Sequence, residues 1–263
     1  MAKFIELKNW DVDKIIPNLQ LDQLINLKFV KLEGDNGDAL MHPRIEDILD
    51  AIYSAPSNPS ILILTNGSMR SANWWYKIGN KYKDRLTVQF SIDGLEDTNH
   101  LYRVGSNYNK VVENAKAFIQ GGGTATQRCL IFQHNKHQLE EISKVSKNIG
   151  FKQLIIKPGD EFRFQGETYW QIWDKGQKLH VIHPVTEIDD IEYQKYSYST
   201  ILFHYNRRNN GLLCDIIGSG EITITYKGHL IPCCLFHADL YFDHPDNQAY
   251  RQLIGDTDKI NLN

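Results

Sequence analysis

Short apolar segments alternate with amphipathic segments over the first 158 residues of the chain. Nearly continuous apolar runs predict strands buried on both faces: Leu27–Glu33, Ser60–Thr65, Leu86–Ile92, Gln127–Gln133 and Gln153–Lys157. Apolar residues at helical spacing predict helices between them: Pro43–Ala55, Asn73–Tyr82, Tyr108–Gln120 and Lys136–Asn148. This alternation predicts right-handed βαβ units and a parallel α/β sheet, which is either open or curved into a partial or full barrel.

The pattern changes after Pro158. Residues Gly159–His204 are rich in aromatic and charged side chains and show weak periodicity, whereas Glu221–Cys233 predicts a β-hairpin that turns at Lys227-Gly228. We therefore predict two parts, an α/β domain over residues 1–158 and a small C-terminal extension over residues 159–263.

Composition narrows the possible partners. The chain has 263 residues, with 29 Lys and Arg against 32 Asp and Glu, and a net charge of −3. This charge argues against binding to nucleic acid or an anionic membrane through bulk attraction. No apolar run is long enough for a membrane span. The first ten residues lack the pattern of a secretory signal, so we expect a cytoplasmic protein.

Polar residues and glycines follow the predicted strands. Two glycines and three acids lie between Glu33 and Asp38, and Thr65-Asn66-Gly67 and Ser91-Ile92-Asp93-Gly94 end the next two strands. Glycine allows a backbone to approach a ligand closely, and ligands collect at the carboxyl ends of parallel strands. Each segment alone is an ordinary turn. Three on successive strands favour a binding site.

The ordered set of motifs resembles the radical S-adenosylmethionine enzymes. One family variant reads Gly-Asp-Pro-Leu-Met-His-Pro, where this chain has Gly37-Asp38-Ala39-Leu40-Met41-His42-Pro43. The family's next two strands often end in Thr-Asn-Gly and Ser-Ile-Asp-Gly, as Thr65–Gly67 and Ser91–Gly94 do here. The later matches are Arg103, Gly105, Tyr108, Val111-Val112-Glu113-Asn114 and Asn135. The resemblance runs from about Leu27 to Pro158, and Ala39 departs from it by replacing a proline.

The resemblance implies a partial (β/α) barrel without its first strand, and a cleft that binds S-adenosylmethionine. The backbone around Gly37 and Asp38 would bind the methionine amino group, and Asn66 would lie near the methionine or the ribose. Ser91 and Asp93 would lie near the ribose and the carboxylate, while Asn135 would line the same cleft.

One family feature is missing from the sequence. In the family, a Cys-x-x-x-Cys-x-x-Cys loop before the second strand holds a [4Fe–4S] cluster that binds S-adenosylmethionine. Here the first cysteine is Cys129, which lies in a predicted buried strand and is expected to be core. We therefore expect that this chain alone does not cleave S-adenosylmethionine. It is a truncated enzyme, a chain whose cluster loop lies on another chain, or a scaffold that only binds.

The C-terminal extension contains the other three cysteines. Cys214, Gly228, Cys233 and Cys234 are spaced as in the opening of the auxiliary-cluster (SPASM-type) extension of radical S-adenosylmethionine enzymes. The resemblance implies a [4Fe–4S] cluster on Cys214, Cys233 and Cys234. The alternatives are a zinc site completed by His237, or three reduced buried thiols.

Three functions remain open from the sequence. The leading hypothesis is a radical S-adenosylmethionine enzyme, or part of one, that acts on a peptide, a sugar or another small molecule and needs an electron donor. The alternatives are a non-catalytic module that binds S-adenosylmethionine or a nucleotide, and a zinc-stapled interaction protein.

Overall fold

The structure, a computed structural model, describes residues 12–18, 21–22, 27–32, 38–159, 169–185, 195–199, 223–224 and 230–231. Its α-helices are Val12–Asn18 (α1), Ile45–Tyr53 (α2), Ala72–Tyr82 (α3), Asn99–Tyr102 (α4), Tyr108–Gln120 (α5) and Leu139–Ile149 (α6). Its strands are Phe29–Leu32 (β1), Ser60–Thr65 (β2), Leu86–Ser91 (β3), Thr124–Ile131 (β4), Gln153–Pro158 (β5), Trp170–Asp174 (β6), Gln177–Ile182 (β7), Tyr198–Ser199 (β8), Thr223–Ile224 (β9) and Leu230–Ile231 (β10). Within these ranges no helix is long and apolar enough to cross a bilayer.

Strands β1 to β5 follow one another in chain order across a six-stranded sheet, and β8 takes the last position. Strand β4 pairs in parallel with β3 and β5, whereas β8 runs antiparallel to β5. In a doubly wound sheet the strand order reverses at a switch point, whereas in a β/α barrel successive strands lie side by side. The order observed here has no reversal and is that of a β/α barrel. The carboxyl ends of successive strands therefore follow one another along one edge.

The parallel sheet is covered by packed helices. Helix α5 begins at Asn107, whose side-chain oxygen accepts a hydrogen bond from the Lys110 N–H at 3.0 Å. Helix α3 approaches α5 closely because Gly79 lacks a side chain. A Cβ atom at Gly79 would lie 2.4 Å from the Phe118 carbonyl oxygen. The buried aromatic side chains of Trp75 (α3), Phe118 (α5) and Phe90 (β3) pack together between the two helices and the sheet.

The chain divides into two compact units. One comprises Met1–Lys31, His42–Ile61 and Tyr205–Asn263, and the other comprises Leu32–Met41 and Leu62–His204. In the first unit the Arg44 guanidinium binds Asp13 of α1 at 2.7 Å and Asp47 of α2 at 2.6 Å, which ties the two helices together. The functional site described below lies entirely in the second unit.

Two hairpins follow the parallel strands. Strands β9 and β10 pair antiparallel, with Leu230 opposite Ile224, and this confirms the predicted C-terminal hairpin. The hairpin of β6 and β7 was not predicted. Its two-residue turn, Lys175-Gly176, has positive φ angles of 47° and 81°, which is the geometry that a tight hairpin requires. The domain boundary between residues 158 and 159 stays a prediction.

Candidate functional site

The carboxylate of Asp38 binds the end of β2. Its Oδ2 accepts hydrogen bonds from the Thr65 hydroxyl at 2.6 Å and from the Asn66 main-chain N–H at 3.0 Å. Its Oδ1 accepts from the Leu40 N–H at 3.0 Å. The Asp38 carboxylate thus ties its own turn, through Leu40, to the carboxyl end of β2.

The turn after β2 presents an amide to the cleft. Gly67 adopts a φ of +72°, which permits the chain to reverse immediately after Asn66. The Asn66 side-chain oxygen accepts hydrogen bonds from the N–H and hydroxyl of Ser68. The Asn114 side chain of α5 donates a hydrogen bond to the Gly67 carbonyl at 2.8 Å, which attaches the turn to this helix. The Asn66 Nδ2 group makes no hydrogen bond within the part of the chain that the structure describes, so its two N–H donors remain available.

Asp93, two residues beyond β3, is the centre of a buried network. Its Oδ2 accepts from the Arg103 Nε–H at 2.5 Å, and its Oδ1 accepts from the Leu130 N–H at 2.6 Å. Its own N–H donates to the Asn99 side-chain oxygen at 2.9 Å. The Asp93 side chain has no exposed surface. The geometry therefore shows an internal role, in which Asp93 joins the ends of β3 and β4 and orients Arg103.

Arg103 is the cation of the site, and its guanidinium carbon lies 5.0 Å from the Tyr102 ring centre. Burial, the largest single effect, lowers the pKa of Arg103, but the charge and hydrogen bond of Asp93 together with Tyr102 and Cys129 outweigh it, so the net shift is upward and the guanidinium stays charged. Asp93 engages only Nε, and the structure records no hydrogen bond from the two Nη groups to a described residue. The side chain is 27% exposed, which leaves room for a ligand.

Asn135 is completely buried and its amide is used inside the protein. It donates to the Asp93 carbonyl at 2.7 Å and to the Leu130 carbonyl at 3.0 Å, and it accepts from the Phe132 N–H at 2.8 Å. Asn135 therefore ties the chain after β4 to the chain after β3. Ser91 is half-buried at the end of β3, opposite Arg128 of β4. The predicted ligand contacts of Ser91, Asp93 and Asn135 stay predictions.

An open cleft of about 510 Å³ lies beside these groups. Three segments line it, namely the turn after β2, the loop after α4 and strand β6. The lining residues are Asn66, Ser68, Tyr102, Arg103, Val104, Gly105, Ser106, Gln171, Ile172 and Trp173. The polar groups are mainly hydrogen-bond donors or hydroxyls, and the lip carries the exposed Val104 and Trp173. A cleft of this kind suits a ligand that combines an anionic group with apolar surface.

His134, which follows β4, lies in an unusual environment. Its ring stacks on Phe132, with centroids 5.4 Å apart and 11° between the planes. Its Nε2 atom is buried and has no hydrogen-bond partner among the described residues. Burial lowers the pKa of His134, Asp93 opposes this effect, and three neighbouring histidines lower the pKa further. The folded protein therefore favours the neutral imidazole.

This arrangement predicts a pH-dependent stability. Because the folded pKa lies below the ordinary value of 6.5, the unfolded state binds more protons just below that pH. The free energy of unfolding should therefore fall as the pH drops below about 6.5. Urea denaturation between pH 5 and 7.5 measures this. His134→Phe keeps the ring stack and should flatten the dependence, whereas His183→Asn, at an exposed position outside this group of histidines, should not. Parallel pH profiles for the parent and His134→Phe would contradict the prediction.

The described residues do not provide a metal site. Among them no group of three histidine, cysteine or acidic side chains could hold a metal ion. Cys129 is completely buried in β4, and burial, followed by the charge of Asp93, raises the pKa of its thiol well above the ordinary value. It is a core residue, as the sequence predicted. Gly37, Cys214, Cys233 and Cys234 lie outside the described residues.

One solved structure supports the fold assignment. The chain is 14% identical to SuiB from Streptococcus suis with a TM-score of 0.58, and the match covers 91% of this chain and 62% of SuiB. The chain shares its fold with SuiB. A structure titled SuiB bound to S-adenosylmethionine gives 16% identity and a TM-score of 0.48, covering 59% of this chain and 35% of that one. A structure titled native anSMEcpe with bound AdoMet gives 14% identity and a TM-score of 0.45. That match covers 64% of this chain and 47% of the other.

The shared fold and the strand order together confirm the predicted partial parallel β/α barrel. The chain spans less than two thirds of the length of SuiB or anSMEcpe. No protein-family model and no curated protein sequence matches the chain.

Sequence reasoning missed three of the residues that line the cleft, namely Arg103, Gln171 and Trp173. Arg103 was recognised as part of the family pattern but was not assigned to the site, although an arginine ten residues after a buried aspartate was an available signal. Gln171 and Trp173 came from a segment without clear periodicity, and nothing in the sequence connected them to the strand ends.

Proposed function

We propose that this chain is a radical S-adenosylmethionine-type protein that binds S-adenosylmethionine in the cleft beside Asn66 and Arg103. The observation that carries the proposal is the pair of available donors, the Arg103 Nη groups and the Asn66 Nδ2 group, on a fold shared with SuiB. A structure of SuiB is titled as bound to S-adenosylmethionine. Arginine and amide donors are well suited to a carboxylate.

The protein residues have separate tasks in this proposal. Arg103 and Asn66 bind the methionine carboxylate, and Asp93 keeps the guanidinium charged and oriented. The backbone around Gly37 and Asp38 receives the amino group, and Ser91 lies at the ribose. In radical S-adenosylmethionine enzymes, the bound molecule supplies a 5′-deoxyadenosyl radical that removes a hydrogen atom from substrate. A peptide or another small molecule is the substrate class we propose.

The described residues do not fit a [4Fe–4S] cluster, since Cys129 is buried in the core and no other cysteine is described. We therefore derive no step through a cluster. The auxiliary site on Cys214, Cys233 and Cys234 is a separate proposal, and it rests on the spacing of the cysteines around Gly228 in the sequence.

Calorimetric titration with S-adenosylmethionine tests the proposed binding. Arg103→Lys keeps a positive charge beside Asp93 but removes the planar fork that binds a carboxylate through two N–H groups. The dissociation constant should rise about tenfold, the loss expected for one charge-assisted contact. Lys144→Gln, which changes an exposed cation on α6, should leave the affinity unchanged. Equal affinities for the parent and Arg103→Lys would remove Arg103 from the site and the main support from the proposal.

A further inference from the structure

The hairpin of β6 and β7 holds the loop that carries Arg103. Ile172 and Ile182 of the hairpin pack with Leu130 and Phe132 of the barrel in a buried cluster, which we call the hairpin cluster. Tyr102 packs against this cluster, with its ring centroid 4.8 Å from that of Phe132. The residue next to Arg103 is thus held by the hairpin and the sheet together.

A direct hydrogen bond strengthens this attachment. His180 of β7 places Nε2 2.8 Å from the Leu101 carbonyl oxygen. A carbonyl can only accept, so this contact requires the proton on Nε2. Leu101 lies in the last turn of the short helix α4, where carbonyls have no partner within the helix. His180 therefore supplies the partner for this helix end, two residues before Arg103.

Arg103 is consequently constrained from two directions. Asp93 holds its Nε from the barrel, and Asn99, at the start of α4, accepts a hydrogen bond from the Asp93 main chain. His180 and the hairpin cluster hold the other end of α4. If either constraint is lost, the guanidinium gains alternative orientations, and a ligand would have to order it on binding.

We propose that His180 is a positioning residue for the anion-binding group of the cleft. It acts through the Leu101 carbonyl to keep the Arg103 guanidinium ready for the carboxylate of a ligand. The hairpin is then part of the binding machinery, although His180 itself does not line the cleft. The inference rests on the proposed function only for the identity of the ligand.

The first test needs no ligand. The Arg103 Nε–H signal in ¹⁵N-edited NMR should be protected from solvent exchange, because Asp93 accepts that hydrogen bond. His180→Ala should increase its exchange rate severalfold. His180→Gln offers an amide N–H at a similar reach and should restore the protection, while His183→Ala, on the segment after β7, should have no effect. An unchanged signal in His180→Ala would overturn the inference.

The second test uses two ligands that differ at the carboxylate. S-adenosylmethionine should bind about fivefold more weakly to His180→Ala, the effect of losing one hydrogen bond, and His180→Gln should recover most of the loss. 5′-Methylthioadenosine has no carboxylate, so its affinity should not change. Equal weakening for both ligands would show a merely structural role and would overturn the inference. If the parent protein does not bind S-adenosylmethionine, the proposed function fails, and the NMR test still decides the role of His180.

Discussion

Replacing Asp93 with alanine should lower the free energy of unfolding by about 3 kcal/mol, because removal of one partner from a buried ion pair leaves the other charge unpaired. The Asp93 carboxylate accepts hydrogen bonds from Arg103 at 2.5 Å and from the Leu130 N–H at 2.6 Å. In the variant, a guanidinium that is only 27% exposed and a buried main-chain N–H both lose their acceptor. Urea denaturation should show a lower midpoint with an unchanged slope.

Two further variants make this prediction specific. Asp93→Asn retains an oxygen for the Leu130 N–H but places an uncharged amide against Arg103, so it should recover only part of the loss. Lys144→Gln breaks the exposed pair between Lys144 and Glu140, whose side chains are 60% and 70% exposed. That change should leave the unfolding midpoint nearly unchanged, because solvent screens an exposed pair. If Asp93→Ala cost as little as Lys144→Gln, the buried network would not be holding the strand ends together.

Trp75→Ala should lower the free energy of unfolding by about 4 kcal/mol, within the range for deleting a large buried aromatic side chain. Trp75 is completely buried. Its ring centroid lies 5.1 Å from that of Phe90 and 5.8 Å from that of Phe118. Its indole N–H donates to the Met69 carbonyl at 3.0 Å. The variant thus opens a cavity between α3, α5 and β3 and releases the turn after β2.

Trp173→Ala is the matched control, because the Trp173 side chain is 56% exposed at the lip of the cleft. It should change the free energy of unfolding by less than about 0.5 kcal/mol. Trp75→Phe keeps an aromatic ring but loses the hydrogen bond to Met69, so its loss should fall between the two alanine variants. Similar unfolding midpoints for Trp75→Ala and Trp173→Ala would show that the aromatic group does not carry this part of the core.

Local pattern was sufficient for most of the helices and strands of the barrel. Strand β2 and helix α5 have the predicted bounds, Ser60–Thr65 and Tyr108–Gln120. Strand β4 differs, since Gln127–Gln133 was predicted and Thr124–Ile131 is observed. The residues Thr124 to Thr126 are weakly apolar, so sequence pattern does not mark them as strand. Pairing with β3 and β5 on both sides extends the strand in the folded protein.

The site was only partly visible in the sequence. Asn66 and Ser91 lie at the carboxyl ends of β2 and β3, as the order of strands and turns predicted, and Asp38 is hydrogen-bonded to the end of β2. The sequence did not show that the polar groups of Asp93 and Asn135 form hydrogen bonds inside the protein. Their partners include main-chain groups of Leu130 and Phe132, and such contacts depend on how the strand ends meet.

Sequence by itself determined the βαβ alternation and the polar residues that end each strand, because both follow from the periodicity of burial and from local turn preferences. Periodicity left open whether the sheet is open or of the barrel type, since that choice depends on the order in which strands pair, and the tertiary structure confirmed the barrel that the family resemblance implied. It also brought His180 to Leu101, which lies 79 residues earlier in the chain. Contacts across such separations arise from packing of whole segments, and no local pattern of apolar and polar residues encodes them.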